Sequence, residues 1–282
     1  MAAKTYNNFT VSRPQEWIAH VEINRPEKLN AFTEEMWTTL PTVFDDLSED
    51  PTVRAIVFSG AGEKAFSAGL DLAAASVPGS FFNPEPEDVA DAARFAARVR
   101  RFAYKFQDCV SSIERCEKPV ICVLHGVSIG MAIDISVCAD LRICTSDVSF
   151  SVKEVDVGIA SDVSTLTRLP KVVGSYAWVK DVCLTARTFG AEEALRVGFV
   201  NSIFPSKATA VQEAMRVAGV MASKSPVAIQ AIKEFLDWSR DHDVATGLKY
   251  TAVYNAAAVN TKDVPTAMAA LRARKVPRFE KL

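Results

Sequence analysis

The chain has 282 residues, 49% of them apolar, enough to bury a sizeable core as one domain or one domain with a helical appendage. Its net charge is −2 with acids and bases interspersed, which excludes the basic footprint of a nucleic-acid binder. No apolar run reaches the roughly 18 residues of a membrane span, and the N-terminal residues show no apolar signal core and no Arg-rich amphipathic pattern, so no cleaved targeting segment is expected.

The predicted elements alternate between strand and helix. Residues 17–23 and 55–59 are strand-like, and between them residues 34–47 form a helix with Thr33 as its N-cap. Residues 60–72 are rich in turn formers, and Pro78, Gly79, Pro84 and Pro86 make residues 73–87 a loop. A long helix follows, with Phe102, Phe106, Cys109, Val110, Ile113 and Cys116 on one face. The apolar run 120–124 is a buried strand, and a second helix covers residues 131–138. Strands at 141–144 and 149–152 precede further alternation up to Phe204. Past Pro205 the pattern is helical, with Ser225-Pro226 opening one helix. The expected layout is therefore α/β over residues 1–205 and all helix over residues 206–282.

The six cysteines, Cys109, Cys116, Cys122, Cys138, Cys144 and Cys183, form no C-x-x-C pair and sit mostly in apolar runs, as reduced core cysteines do. His20, His125 and His242 are scattered, so no metal site is expected.

Three segments offer chemistry. Gly60-Ala61-Gly62-Glu63-Lys64-Ala65 matches a dinucleotide fingerprint formally. Phe66-Ser67-Ala68-Gly69 is poor helix, however, and a plain turn fits better. Gly126-Val127-Ser128-Ile129-Gly130 matches a nucleophile elbow, which would make Ser128 the nucleophile of a serine hydrolase. Its histidine would have to be His242, which lies in a polar, solvated stretch; alternatively the small residues let a turn pass close to a ligand or another strand. The third is a set of acids. Asp134 sits in an all-apolar helix, so it is expected to be buried with a raised pKa, either as a site residue or paired with Arg142. Glu154 and Asp156 would share a face if their segment were a strand. Asp162 precedes an apparent helix and has the position of an ordinary N-cap.

Taken together, Asn24-Arg25-Pro26-Glu27-Lys28-Leu29-Asn30-Ala31, the segment from Lys64 to Leu72, His125-Gly126 through Asp140, and the segment from Lys153 through Asp162 to Arg168-Leu169-Pro170-Lys171 resemble the crotonase (enoyl-CoA hydratase/isomerase) superfamily. The last segment looks like its Δ3,5-Δ2,4-dienoyl-CoA isomerase branch. The resemblance implies a spiral of strand-strand-helix units, a C-terminal helical region used for trimer assembly with hexamers possible, and an acyl-CoA substrate whose CoA is the only cofactor-like group. It implies an oxyanion hole of two backbone N–H groups, at Leu70 and Met131. Met131 stands where relatives usually have glycine. Hydratases would have glutamate at both the Asp134 and Glu154 positions and glycine at that of Asp162. Asp, Glu and Asp at these places imply proton transfer by Glu154 and Asp162, with Asp134 tuning the site. A 2-enoyl-CoA hydratase is the alternative within the superfamily. Arg25, Lys28 and Leu29 are the candidates for the CoA side, and Ser67, Ala68, Gly69, Leu70 and Asp71 for the wall beside the thioester. The Phe81-Phe82 pair, in the long loop after Leu70, is a candidate either for the acyl pocket or for simple hydrophobic anchoring of that loop. The terminal Glu280-Lys281-Leu282 is near the Ser-Lys-Leu address, so a peroxisomal location is expected ahead of mitochondrion or cytosol.

Overall fold

The computed structural model describes residues 6–80 and 82–282. Among them, the larger sheet runs β1 (Phe9–Gln15), β2 (Trp17–Ile23), β3 (Val53–Gly60), β5 (Val120–Leu124), β7 (Leu141–Thr145) and β10 (Ser202–Phe204), side by side in that order. The smaller sheet runs β4 (Ala65–Ser67), β6 (Val127–Ile129), β8 (Ser149–Ser151) and β9 (Phe189–Gly190). Pairing is parallel except at β1 with β2 and β8 with β9. Each pass of the chain lays one strand in each sheet, β3 then β4, β5 then β6, β7 then β8, and crosses back through helix. This is the strand-strand-helix spiral.

The central strands explain the two cores. Every position of β3 and β5 is buried, as in a sheet covered on both faces. Because side chains alternate along a strand, Ile56, Phe58, Cys122 and Leu124 enter one core while Ala55, Val57, Ile121 and Val123 enter the other. The first core is closed by α1 (Glu34–Glu49) and α4 (Ala92–Arg115), whose predicted apolar face holds. Between them lie α2 (Leu72–Ala75) and α3 (Pro86–Val89), two short helices in the stretch expected to be loop.

The spiral continues with α5 (Met131–Ser136), α6 (Thr165–Val172), α7 (Tyr176–Thr185) and α8 (Ala191–Val197). Then come α9 (Lys207–Ala222), α10 (Pro226–Asp241), α11 (Val244–Ala258) and α12 (Asp263–Arg272). The expected division at residues 205/206 falls between β10 and α9, where the secondary structure changes, and α9, the first helix beyond it, packs back on the larger sheet. Its Ala210, Ala214, Ala218 and Ala222 form a buried stripe that lets the helix settle on the sheet, so α9 completes the second core. The antiparallel edge strand β1 was not expected: it is polar, contains Pro14 and is mostly exposed. The six cysteines are free thiols.

Candidate active site

Strands β4 and β6 are parallel neighbours, with Ser67 beside Ser128. Each is followed by a glycine with positive φ, Gly69 at 87° after β4 and Gly130 at 55° after β6. The two turns touch: a Cβ on Gly69 would stand 3.1 Å from the Ile129 carbonyl and 3.6 Å from the Met131 nitrogen. Only glycine satisfies both the backbone angle and this approach. The next residues, Leu70 and Met131, present N–H groups that have no acceptor among the described residues. Met131 is the first residue of α5, so its N–H is one of the orphan donors of a helix start. Its backbone is ordinary, because the unusual angle falls on Gly130, and its side chain is buried in the core. The absence of glycine there leaves the donor in place.

Side chains brace the Gly69 turn. Ser67 Oγ donates to the Asn30 carbonyl at 2.8 Å and accepts from Gly69 N at 3.1 Å. Ala68 N donates to the Leu29 carbonyl at 2.9 Å. Asn30, fully buried, donates through Nδ2 to the Ala61 and Ala65 carbonyls and accepts from Arg25 N. Asp71 caps α2 and pairs with Arg25 at 2.7 Å. That pair, with a second bond from Arg25 to the Ala31 carbonyl, commits the guanidinium to holding the loop rather than facing solvent. Lys28 and Leu29 are exposed on the same turn.

The three acids take different environments. Asp134, on α5, is buried, and its Oδ1 accepts from Ser164 N at 2.9 Å, Thr165 N at 2.7 Å, Thr165 Oγ1 at 2.7 Å and Ser161 Oγ at 3.5 Å. It therefore caps α6 from another helix, and the turn 161–165 wraps around it. Burial raises its pKa, partly offset by these donors. The expected alternative partner, Arg142, is elsewhere: it donates to the Phe199, Ser136 and Ala139 carbonyls and closes the end of α5. Glu154 begins a 3-10 helix, Glu154–Val157, and not a strand, so Asp156 points away to pair with Lys153. A Cβ on Gly130 would lie 3.4 Å from Glu154 Oε1, so the glycine makes room for this carboxyl beside the Met131 N–H. Burial first, then the charges of Asp134 and Asp162, push the Glu154 pKa up to about 7. Asp162 is exposed on the turn and is not the N-cap of α6; that place belongs to Ser164. Its charge is felt by both other acids. The structure thus gathers Asp134, Glu154 and Asp162 at one place, beside two unbonded N–H groups.

Beyond Leu70 lies a groove of about 80 Å³ lined by Phe32, Trp37, Leu70, Phe82, Phe102 and Phe106. Phe82 lines this groove, while Phe81 lies outside the described residues.

The model of the enoyl-CoA hydratase/isomerase family matches residues 13–281. The chain belongs to that family. It is 41% identical to the mitochondrial Δ3,5-Δ2,4-dienoyl-CoA isomerase of Homo sapiens over 92% of this chain and 77% of that one. It is 35% identical to the peroxisomal enzyme of the same name from Arabidopsis thaliana, with both chains covered in full. A short-chain-enoyl-CoA hydratase of Clostridium acetobutylicum is 29% identical over 93% of this chain and 94% of that one. Among solved structures, an enoyl-CoA hydratase from Bacillus anthracis superposes with a TM-score of 0.86 at 24% identity, covering 97% of this chain and 99% of that one. That likeness shows the fold.

The other two motifs resolve within this enoyl-CoA hydratase/isomerase fold. Ser128 lies inside β6, fully buried, and donates to the His125 carbonyl at 3.3 Å. His242 is exposed and stacks on Trp238, so no hydrolase triad forms. The Gly60–Ala65 turn leads into β4 and not into a helix, which removes the dinucleotide reading. Sequence reasoning passed over Thr165 and took Gly130 only as one of the small residues of a turn. Asp134 in an apolar helix signalled a buried acceptor, but nothing in the sequence named its donors.

Proposed function

We propose that this protein is a Δ3,5-Δ2,4-dienoyl-CoA isomerase of unsaturated fatty acid oxidation. The observation that carries the reading is a set of three mutually repelling carboxyl groups, Asp, Glu and Asp, beside two free backbone donors, in a chain 41% identical to a protein of that name.

The reaction moves one proton from carbon 2 of a 3,5-dienoyl-CoA to carbon 6. Asp162, the exposed acid, takes the carbon 2 proton as a carboxylate. The electron pair spreads through the dienolate to the thioester oxygen, where the Leu70 and Met131 N–H groups receive the charge; such a donor is worth about 3–4 kcal/mol in a transition state. Glu154 returns a proton at carbon 6, and a pKa of about 7 leaves it partly protonated at neutral pH. Asp134 holds the Asp162 turn and raises the Glu154 pKa through its charge. One proton leaves and one arrives, so the chemistry calls for no redox or metal cofactor. The acyl chain occupies the aromatic groove, and Lys28 and Leu29 face the CoA. Arg25 serves the site as the brace of that loop.

Two further points belong to the same proposal. Self-association as a trimer or hexamer is supported by apolar side chains exposed along α10 to α12. A peroxisomal location is supported by the Arabidopsis relative, matched along its full length, and imaging of the tagged full-length protein checks it.

Purified protein should raise the ultraviolet absorbance of a 3,5-dienoyl-CoA as the conjugated 2,4-diene forms. Asp162→Asn should lower kcat by about a thousandfold or more while keeping the fold. No change with this substrate, alongside rapid hydration of crotonyl-CoA, would favour the hydratase and sink the proposal.

A further inference from the structure

Helix α4 has a second face that the apolar pattern does not use. Gln107, Ser111 and Glu114 stand at i, i+4 and i+7 and form one stripe. All three grip the segment that carries Asp162. Gln107 Nε2 donates to the Asp162 carbonyl oxygen at 2.7 Å. Ser111 Oγ accepts from Arg168 Nη2 at 3.1 Å. Glu114 accepts from Arg168 through Nε and Nη2, and from Arg240 of α10. Arg168 in turn donates to Ser164 Oγ at 3.1 Å, one residue before the Asp134-bound Thr165. The turn is therefore held from inside by Asp134 and from outside by α4.

Gln107 is the member that touches Asp162 itself, and its sequence neighbour Phe106 lines the aromatic groove and stacks on Trp37 with ring centroids 4.4 Å apart. We infer that Gln107 is a positioning residue that fixes the Asp162 carboxylate for proton abstraction, and that it couples filling of the groove by the acyl chain, sensed at Phe106, to the placement of the base. The inference rests on the reading of Asp162 as the carbon 2 base. A misplacement of about 1 Å at a reacting group can cost about a hundredfold in rate, so one hydrogen bond to the backbone of the base is a sufficient lever.

The test uses the full-length protein and two 3,5-dienoyl-CoA substrates, with eight-carbon and twelve-carbon acyl chains. Gln107→Ala should lower kcat about tenfold or more with KM within about twofold, because the groove and the CoA contacts are untouched. Gln107→Lys, which restores a donor of similar reach, should recover part of the loss; a merely structural contact would not give this pattern of kcat loss and rescue. The ratio of kcat between the two chain lengths should shrink toward one in Gln107→Ala. Wild-type kcat in the alanine variant, or equal losses in the alanine and lysine variants, overturns the positioning role. An unchanged chain-length ratio overturns the coupling. Asp162→Asn run in parallel separates the two levels: full activity there removes the reading of the base, whereas an inactive Asp162→Asn with an unaffected Gln107→Ala removes this inference alone.

Discussion

Glu154 Oε2 is buried and has no hydrogen-bond partner among the described residues, although the carboxyl sits where two other acids repel it. Such a group costs stability whenever it is ionised. Its pKa is about 7 in the folded protein against an ordinary 4.5. Below pH 4.5 both folded and unfolded chains hold the proton, and the fold keeps its full stability. Between 4.5 and 7 the unfolded chain releases its proton first, so stability falls as pH rises, and it levels off above 7. Glu154→Gln removes this loss. The variant should be more stable than wild type at pH 8, by up to about 3 kcal/mol, and show no such gain at pH 4.5. Its isomerase rate should fall about tenfold or more. Equal gains at both pH values in denaturant unfolding would contradict the assignment of the burden to Glu154. The sequence shows why this residue was readable only in part: its identity and spacing point to the site, but the room made for it by Gly130 depends on two strands meeting in space.

At the level of elements, α6 begins with a cap borrowed from α5. Ser164 has the N-cap position but makes no side-chain cap, and Asp134 supplies the acceptor. Sequence rules look for a cap next to the helix, which is why Asp162 looked like one and Asp134 did not. The 3-10 helix at Glu154 was missed for a similar reason, since four residues with Val at alternate places read as strand. Asp134→Ala removes the acceptor and leaves the Ser164 and Thr165 N–H groups buried and unpaired. The expected cost is about 3–5 kcal/mol in urea unfolding. Asp134→Asn keeps an oxygen at the same reach and should cost much less. It also removes a negative charge that raises the Glu154 pKa, so the ionisation of Glu154 seen in the pH–rate profile should move to lower pH. A similar loss in both variants would mean that Oδ1 is not the element holding the turn.

Across the whole molecule, the alternation of strand and helix in the first 205 residues and the helical remainder were legible because the apolar periods are strong. The partition of labour within the helical remainder was not. Helix α9 turns an alanine stripe to the sheet, whereas α11 has Gly247 as its single buried residue. Leu236, Leu248, Val253 and Leu271 are each between 66% and 71% exposed, spread over three successive helices. Phe235 and Leu248 with Ala252 and Val259 line an open groove between α10 and α11. Exposed apolar surface of this kind is costly in water and is removed when a second copy covers it. Charge placed in this groove opposes that burial without touching either core. If the proposed trimer or hexamer forms through this surface, Leu248→Glu should shift the protein to a monomer in sedimentation at micromolar concentration. Its circular dichroism should remain that of the folded chain, because Leu248 belongs to neither core. A wild-type chain that sediments as a monomer, or a Leu248→Glu assembly of unchanged mass, would show that this surface is not where copies meet. Arg240 would link the proposed assembly to the chemistry: it lies on α10 and holds Glu114, whose partner Arg168 donates to the Ser164 hydroxyl in the Asp162 turn. If copies meet through α10 and α11, Leu248→Glu should lower kcat as well as mass, and the loss of rate should follow the loss of assembly as the protein is diluted.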